Sequence, residues 1–504
     1  MDMNNAVKRS GFTGLDDVKR TLNENRDIQF IRFMTADMNG ERPCGFTIPT
    51  SELGGDIDSD GNVSFQIGTG PSEIHKGFDA SSLYPERINE SDKNARIDFT
   101  TARVLPWDYA TRVAGYSRSW KEMVVFGDIL DPKNGPYKFD SRNILKRVLT
   151  RVMELGLADT VYIGPEMEFF LFEGDEMGFP RLEEFCLDDC NYLRPIPVDK
   201  GRYFKGGRYG QIRKEAQMIL KEMGYRFEYD HHEVSDSQHE CDVHYMPALE
   251  MADFVMLFRY VVKKVASAHG LFASFMPKPI AGINGNGMHT HQSLFLEGRN
   301  IFFDGEDPNR LSMECKRYIA GLMKYVPEIC AGLNPWVNSF KRLVPGFEAP
   351  AYICCDVENR SSLIRIPGYD MGNPNAIRIE LRNPDPSSNP YLSFALQIWA
   401  GTKGIIEELE PPKIDDINVF ELSDPEMEEI GIQRLPPDLG SALDLMENSS
   451  LVREVMGGDF LKHYMIAKRS HLDEYTTSLG HRKDDLSMRV QISKYEMEGL
   501  LPIL

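Results

Sequence analysis

The chain has 504 residues, 41% hydrophobic and 10% aromatic, enough to bury sizeable cores in about two to four domains of ordinary size. Lysine and arginine number 57 against 77 aspartates and glutamates, a formal charge of −20 that argues against general nucleic-acid or anionic-membrane binding. No run approaches the roughly 18 apolar residues of a membrane span; the most apolar, Phe254–Val265, is broken by Arg259, Lys263 and Lys264. The opening residues, MDMNNAVKRSG, lack the apolar core of a secretory signal. Eight scattered cysteines, with neither a disulfide framework nor paired CxxC spacing at Cys186, Cys190, Cys354 and Cys355, read as reduced thiols. The expected location is the cytoplasm.

Ile28–Met34 and Pro43–Ile48 read as strands around an Asp37–Glu41 turn. Gly54–Gly61 is a loop, and the breaker-rich Asp131–Pro136 marks a domain boundary. Beyond it the hydrophobic period turns helical. Ile144, Leu145, Val148, Leu149 and Val152 share a face, Asp140 or Ser141 caps them, and Gly156 ends the helix. A strand follows over Thr160–Glu173, then a helix around Gln211–Met223 closed by Gly224. Tyr225–Val234 and Glu240–Tyr245 read as strands, and Pro247 opens a helix to about His269, stopped by Gly270. Met276 to Pro390 is rich in Gly, Pro and Asn and holds most of the unusual polar residues. This order predicts an α+β chain, with a small β-rich domain over 1–135 and a large α+β domain over 136–504.

Within Gly164-Pro-Glu-Met-Glu-Phe-Phe-Leu-Phe172, Glu166 and Glu168 point to one face of an apolar strand. Such alternation ordinarily means a solvated acidic face; a buried version needs a cation between the charges. Similar groups recur in His231-His-Glu233, Gln238-His-Glu240, the loop Asn284-Gly-Asn-Gly-Met-His289 leading to His291 and Ser293, and Arg378-Ile-Glu-Leu-Arg382. Each alone reads more readily as a structural histidine or a surface ion pair. Together the glutamates and histidine suit two hard cations, Mg²⁺ or Mn²⁺, and the lack of cysteine ligands disfavours structural zinc. Arg342, Arg360, Arg365, Arg378 and Arg382 cluster in an acidic chain, and guanidinium beside divalent metal points to phosphate chemistry. P-loop, kinase and Rossmann signatures are all missing.

These motifs, with Phe78-Asp-Ala-Ser-Ser82, Lys341-Arg-Leu-Val-Pro-Gly-Phe-Glu-Ala-Pro350 and Asn359-Arg-Ser-Ser-Leu-Ile-Arg-Ile-Pro367, stand in the order seen in class I glutamine synthetases. The chain resembles that bacterial and archaeal family from about Ile28 to its end. The resemblance implies a small β-grasp-like N-terminal domain and a large catalytic domain with a curved antiparallel sheet flanked by helices. It implies that glutamate, ATP and ammonia are joined through a γ-glutamyl phosphate, with two or more Mg²⁺ or Mn²⁺ ions per site. One metal falls to Glu168, Glu233 and Glu240, the other to Glu166, His289 and Glu380. Glutamate falls to Asn284, Gly285, His289, Arg342 and Arg382, and ATP to Glu228, His291, Ser293, Arg360, Arg365 and Arg378. Glu348 belongs to a flap that closes over the acyl phosphate and takes a proton. Arg360 is grouped with the catalytic residues, and Asp79 comes from the neighbouring subunit to help deprotonate ammonium. A shared site implies a homo-oligomer, a dodecamer of two stacked hexamers.

The chain departs from the family pattern at several points. The usual Asp-Gly-Ser-Ser reads Asp79-Ala-Ser-Ser82, and the loop from Glu233 to Gln238 lacks its glycine. Arg202–Arg208 reads as an insertion, and Phe420 stands where the family's modified tyrosine would be, leaving control to ligands or partner proteins. A glutamate–amine ligase and a non-catalytic regulatory relative are the competing readings. Asp79 argues against the first, and Glu348 with a full set of metal ligands against the second.

Overall fold

The structure, a computed structural model, describes residues 11–40, 43–53, 56–57, 63–64, 75–79, 92–113, 116–131, 135–174, 209–357, 362–368, 373–412, 426–427, 430–480 and 486–504. Two compact units divide the chain. The first comprises Met1–Met38, Arg42–Asn143 and Glu215–Arg226. Its mixed sheet runs β2-β1-β5-β4-β3, from β1 (Ile28–Ala36), β2 (Pro43–Pro49), β3 (His75–Asp79), β4 (Asp92–Val104) and β5 (Tyr116–Asp131). The β1–β5 pair is parallel and the other pairs on this path are antiparallel. Period-two alternation buries Ala95, Ile97 and Phe99 of β4, while helical spacing buries Leu15, Val18 and Leu22 of α1 (Leu15–Glu24). Asp140 accepts hydrogen bonds from the backbone N–H groups of Arg142 and Ile129 at 3.0 and 2.8 Å. Burial pushes its carboxyl up to about 7.

The second unit comprises Asn39–Glu41, Ile144–Lys214 and Phe227–Leu504. Its sheet runs β7-β8-β6-β10-β13-β12-β11, from β6 (Thr160–Glu173), β7 (Phe227–His232), β8 (Gln238–Val243), β10 (Thr290–Leu296), β11 (Cys355–Val357), β12 (Ile364–Ile366) and β13 (Ile379–Leu381). Another strand, β9 (Leu271–Ser274), pairs with the end of β6. Every pair here is antiparallel except β11–β12. The strand expected over Thr160–Glu173 has those bounds, and its first half pairs with β10 before Glu166–Phe170 pair with β8. The strands expected at Tyr225–Val234 and Glu240–Tyr245 shift to Phe227–His232 and Gln238–Val243. Between them lies a turn in which Ser237 adopts φ 63°.

The helices of this unit include α2 (Ser141–Glu154) and α3 (Gly210–Glu222), which begin or end in the first unit. The helix expected from Pro247 is α4 (Ala248–Ala268), buried through Phe254, Leu257, Phe258 and Val261. The Gly/Pro/Asn-rich region contains a helix that its composition obscured, α5 (Met313–Leu333), with Pro327 inside it. Proline removes one backbone donor there, and burial of Leu322 and Val326 before it and of Ile329 and Leu333 after it holds the helix together. After α6 (Val337–Arg342), α7 (Pro390–Ile406) packs on α5 with Gly321 and Gly404 backbone to backbone. Architecture is mixed α+β, with large sheets flanked by helices and no closed barrel among the described residues. No described helix is long and apolar enough to cross a membrane.

Candidate active site

Antiparallel register lays the acidic residues in a row across one face of the second unit's sheet. Glu168 of β6 stands opposite Glu240 of β8, and Glu166 opposite Asp242. On the far side of β8, His231 stands opposite Glu240 and Tyr229 opposite Asp242. In the other direction His291 of β10 meets Glu380 of β13, which meets Arg365 of β12. The period of two keeps one side of every strand on this face, so one row carries carboxylates, imidazoles and a guanidinium. Over it lies a cavity of about 450 Å³.

Among the described residues, two groups have ligand atoms close enough to share a metal ion: Glu166 with His291 and Glu380, and His231 with Glu233 and Glu240. His289 is central to the first, with Nδ1 2.7 Å from Glu166 Oε2, 3.8 Å from Glu380 and 3.9 Å from Glu168. His231 Nε2 lies 3.1 Å from Glu240, and its Nδ1 3.4 Å from Glu233. Charge on this row is poorly compensated. Burial, then the neighbouring Glu233 charge, raises the Glu168 carboxyl well above the ordinary range. Burial, then Asp242, does the same to Glu240, and burial, then Glu166, to Asp242. For Glu166 burial also pushes upward, but hydrogen bonds from His289 and His291 outweigh it and hold the carboxyl low. Hard oxygen and nitrogen donors crowded until they retain protons are a donor set that fits a hard divalent cation.

Arginines fix the imidazoles. Arg378 Nε donates to His291 Nδ1 at 3.3 Å, leaving the His291 proton on Nε2, 3.0 Å from Glu166. Arg342 donates to His289 Nε2 at 3.2 Å and to the carbonyls of Asn383 and Arg382 at 2.8 and 3.0 Å. Arg342 is 1% exposed, so its donors serve the framework behind the cavity. Burial, then the Arg382 charge, lowers His289 to about 4, so its ring is neutral near pH 7. Arg365 and Arg382 both pair with Glu380, the former at 2.6 Å.

The cavity gathers Glu166, Glu168, Glu228, Glu233, Glu240, Asn284, Gly285, His289, His291, Ser293, Glu348, Arg365, Arg378 and Arg382. Glu380 lies in the same row, fully buried. Asp79 ends β3 in the first unit, exposed. Arg360 lies outside the described residues, as do Ala80, Ser82, the Arg202–Arg208 stretch, Cys186, Cys190 and Phe420. Sequence reasoning assigned no role to His231, Asp242, Gln238, Tyr162, His244 or Tyr245, all of them in or beside this site. Period two from Glu233 and Glu240 would have pointed to the first two. The tyrosines offered no comparable signal.

The family described as "Glutamine synthetase, catalytic domain" matches residues 138–484. A glutamine synthetase of Methanosarcina mazei is 41% identical over 470 residues, 93% of this chain and 96% of that protein. One of Mycolicibacterium smegmatis is 38% identical over 492 residues, 96% of this chain and 98% of its own length. Among solved structures, a Plasmodium falciparum glutamine synthetase matches with TM-score 0.74 and 25% identity, covering 95% of this chain and all of that one.

Proposed function

The chain belongs to the glutamine synthetase family, and from that premise we propose how its residues perform the reaction. The activity is ATP-dependent ligation of ammonia to glutamate, giving glutamine, with a divalent metal. What supports the residue roles is the acidic row itself, Glu168 facing Glu240 and Glu166 facing Asp242, bordered by Arg365 and Arg382.

One Mg²⁺ or Mn²⁺ would be held by Glu168, Glu233 and Glu240 with His231 in reach, and a second by Glu166, His289 and Glu380 with His291 in reach. When bound, such ions neutralise phosphate and carboxylate charge and polarise the transferring phosphoryl group. Tyr162, His244 and Tyr245 form an aromatic end of the cavity suited to the adenine, with Glu228 and Ser293 nearby. Arg365 and Arg378, joined by Arg360, take the phosphates and offset the charge that develops on transfer. Asn284, Gly285 and Arg382 hold glutamate so that its γ-carboxylate faces the γ-phosphate. Arg342 supports His289 from behind. Glu348, lining the cavity, covers the γ-glutamyl phosphate, excludes water and takes a proton from the ammonium adduct.

Ammonium also needs an anionic pocket, and we assign Asp79 of a neighbouring subunit to it; a site shared in this way calls for a homo-oligomer, for which we propose two stacked hexamers. We also propose a domain boundary at 135/136. Free thiols at Cys241, Cys315, Cys330, Cys354 and Cys355 suit the cytoplasm. The test is phosphate release from ATP and glutamate with ammonium, methylamine or putrescine, in wild type and Glu166→Gln. Ammonium should give the highest kcat/KM, and the variant should release no phosphate while staying folded. A preference for putrescine, or wild-type turnover in the variant at saturating Mg²⁺, would overturn the assignment.

A further inference from the structure

Gln238 is the first residue of β8, two positions before Glu240 on the same face, and 1% exposed. Its Nε2 donates to Glu168 Oε2 at 2.8 Å and lies 3.1 Å from the Gly285 carbonyl and 3.3 Å from Asn286 Oδ1. Three acceptors around one nitrogen assign the amide's orientation, because a flipped amide would set its oxygen against a carboxylate and two carbonyls.

Glu168 Oε2 also accepts the backbone N–H of Gly287 at 2.9 Å. With Oε2 held by two donors, Oε1 is the oxygen left for a cation. Gly285 and Asn286 belong to the loop proposed to contact glutamate. Asn286 is fully buried and donates to the Met276 carbonyl at 2.9 Å, so the loop is anchored at its back. At its front the anchor is Gln238. A Cβ on Gly285 would run into the Pro277 carbonyl, so the loop cannot take a side chain there without moving. One side-chain amide therefore ties a carboxylate of the metal row to the loop that meets the amino acid.

We propose that Gln238 is a positioning residue that couples cation binding to glutamate binding, orienting Glu168 and the Gly285–Asn286 backbone together. The inference rests on Glu168 being a metal ligand and Asn284–Gly285 glutamate contacts. Groups that hydrogen-bond a ligating side chain typically contribute 10–100-fold to metal affinity or activity. ATP would contact the cavity elsewhere, so the coupling predicts a selective defect. A merely structural residue would lower thermal stability and weaken all ligands in parallel.

The experiment compares wild type, Gln238→Met and Gln238→Asn. Methionine keeps the length and removes the donor; asparagine keeps an amide too short to reach Glu168 and Gly285 at once. Mn²⁺ alone is titrated calorimetrically into the metal-free full-length protein, and KM is measured for glutamate and for ATP. Expected are about 10–100-fold weaker Mn²⁺ binding and a comparable rise in the glutamate KM, with the ATP KM nearly unchanged. The asparagine variant carries the same comparison if the methionine variant does not fold. Wild-type Mn²⁺ and glutamate affinities in a folded variant, or an ATP KM that rises as far as that of glutamate, would overturn the proposal. Failure of wild type itself to bind Mn²⁺ would instead strike the metal assignment on which it rests.

Discussion

Removing divalent metal should make stability fall as pH rises, and restoring it should reverse that fall. Glu168 and Glu240 hold their protons well above the ordinary carboxylate range, through burial and then the charges of Glu233 and Asp242. Between the unfolded value, near 4.3, and the raised folded values, the native state binds more protons than the unfolded chain. The metal-free protein then loses about 1.4 kcal/mol per pH unit for each such group, with its full stability present only below the unfolded value. Glu166 works in the opposite sense, since His289 and His291 keep it low, and its contribution disappears only in acid.

A cation replaces the retained protons, so metal affinity should climb through the same window. At a free concentration one hundred times Kd, each ion adds about 2.7 kcal/mol, so two ions add roughly 5 kcal/mol. For a unit of about 350 residues that corresponds to a rise in Tm of roughly 7 °C. The assay is scanning calorimetry in EDTA and in excess Mg²⁺ at pH 5.5 and pH 8, with proton release on Mg²⁺ addition followed in weak buffer. The Mg²⁺-induced shift should be clearly larger at pH 8 and should shrink in Glu168→Gln and Glu240→Gln. A shift of equal size at both pH values, with no protons released, would refute the reasoning.

Three further outcomes are expected. Gly404→Ala should lower stability by about 2–3 kcal/mol in urea titration, because the added Cβ would overlap the Arg317 carbonyl and the Gly321 backbone where α7 meets α5. Glu496→Ala should cost about 3–5 kcal/mol by the same measurement, since buried Glu496 pairs with buried Lys341 and accepts from Asn338 and the Ser493 N–H, both at 2.8 Å; replacing the pair with methionines should recover much of the loss. Mixing inactive Asp79→Asn and Glu348→Ala subunits should restore part of the phosphate release if the proposed sites are shared between subunits, because hybrids would then contain sites intact in both residues; verified hybrids without recovery would count against a shared site.

Periodicity made part of this site legible. Two glutamates at i and i+2 in an apolar strand are conspicuous, and Thr160–Glu173 has the expected bounds because length and composition both favour a strand. Register was not legible. That Glu168 faces Glu240, and Glu166 faces Asp242, depends on pairing across some 70 residues of sequence. Asp242 reads locally as one more acidic residue near a strand end, and only the partner strand shows that it is buried beside Glu166. Gln238 carries no charge to attract notice, and its importance lies wholly in what stands within 3.3 Å of its amide. Helix α5 was hidden for a different reason. Pro327 is a local breaking signal, and tertiary burial of the surrounding turns overrides it. Ser237, in the turn that lacks the family's glycine, takes the left-handed conformation, which costs a non-glycine residue about 1–2 kcal/mol. That turn carries Glu233 at one end and Gln238 at the other, and the Glu233 N–H to Gln238 carbonyl bond, 2.9 Å, closes it. Strain is tolerated where it sets the spacing of two site residues.

The charge of the cavity constrains the order in which its ligands can enter. Among the described residues it is lined by seven carboxylates, Glu166, Glu168, Glu228, Glu233, Glu240, Asp242 and Glu348, against three arginines, Arg365, Arg378 and Arg382. Two of those arginines are engaged with Glu380, leaving Arg378, whose Nε is held by His291. An anionic nucleotide and an anionic amino acid therefore meet a site richer in carboxylates than in arginines, inside a chain that carries −20 overall. Repulsion at these distances is not screened away as it would be between exposed charges. On the roles proposed above, cations would enter before the substrates or with them. On those same roles, a cation that took over Glu380 would release Arg365 and Arg382 toward phosphate and carboxylate.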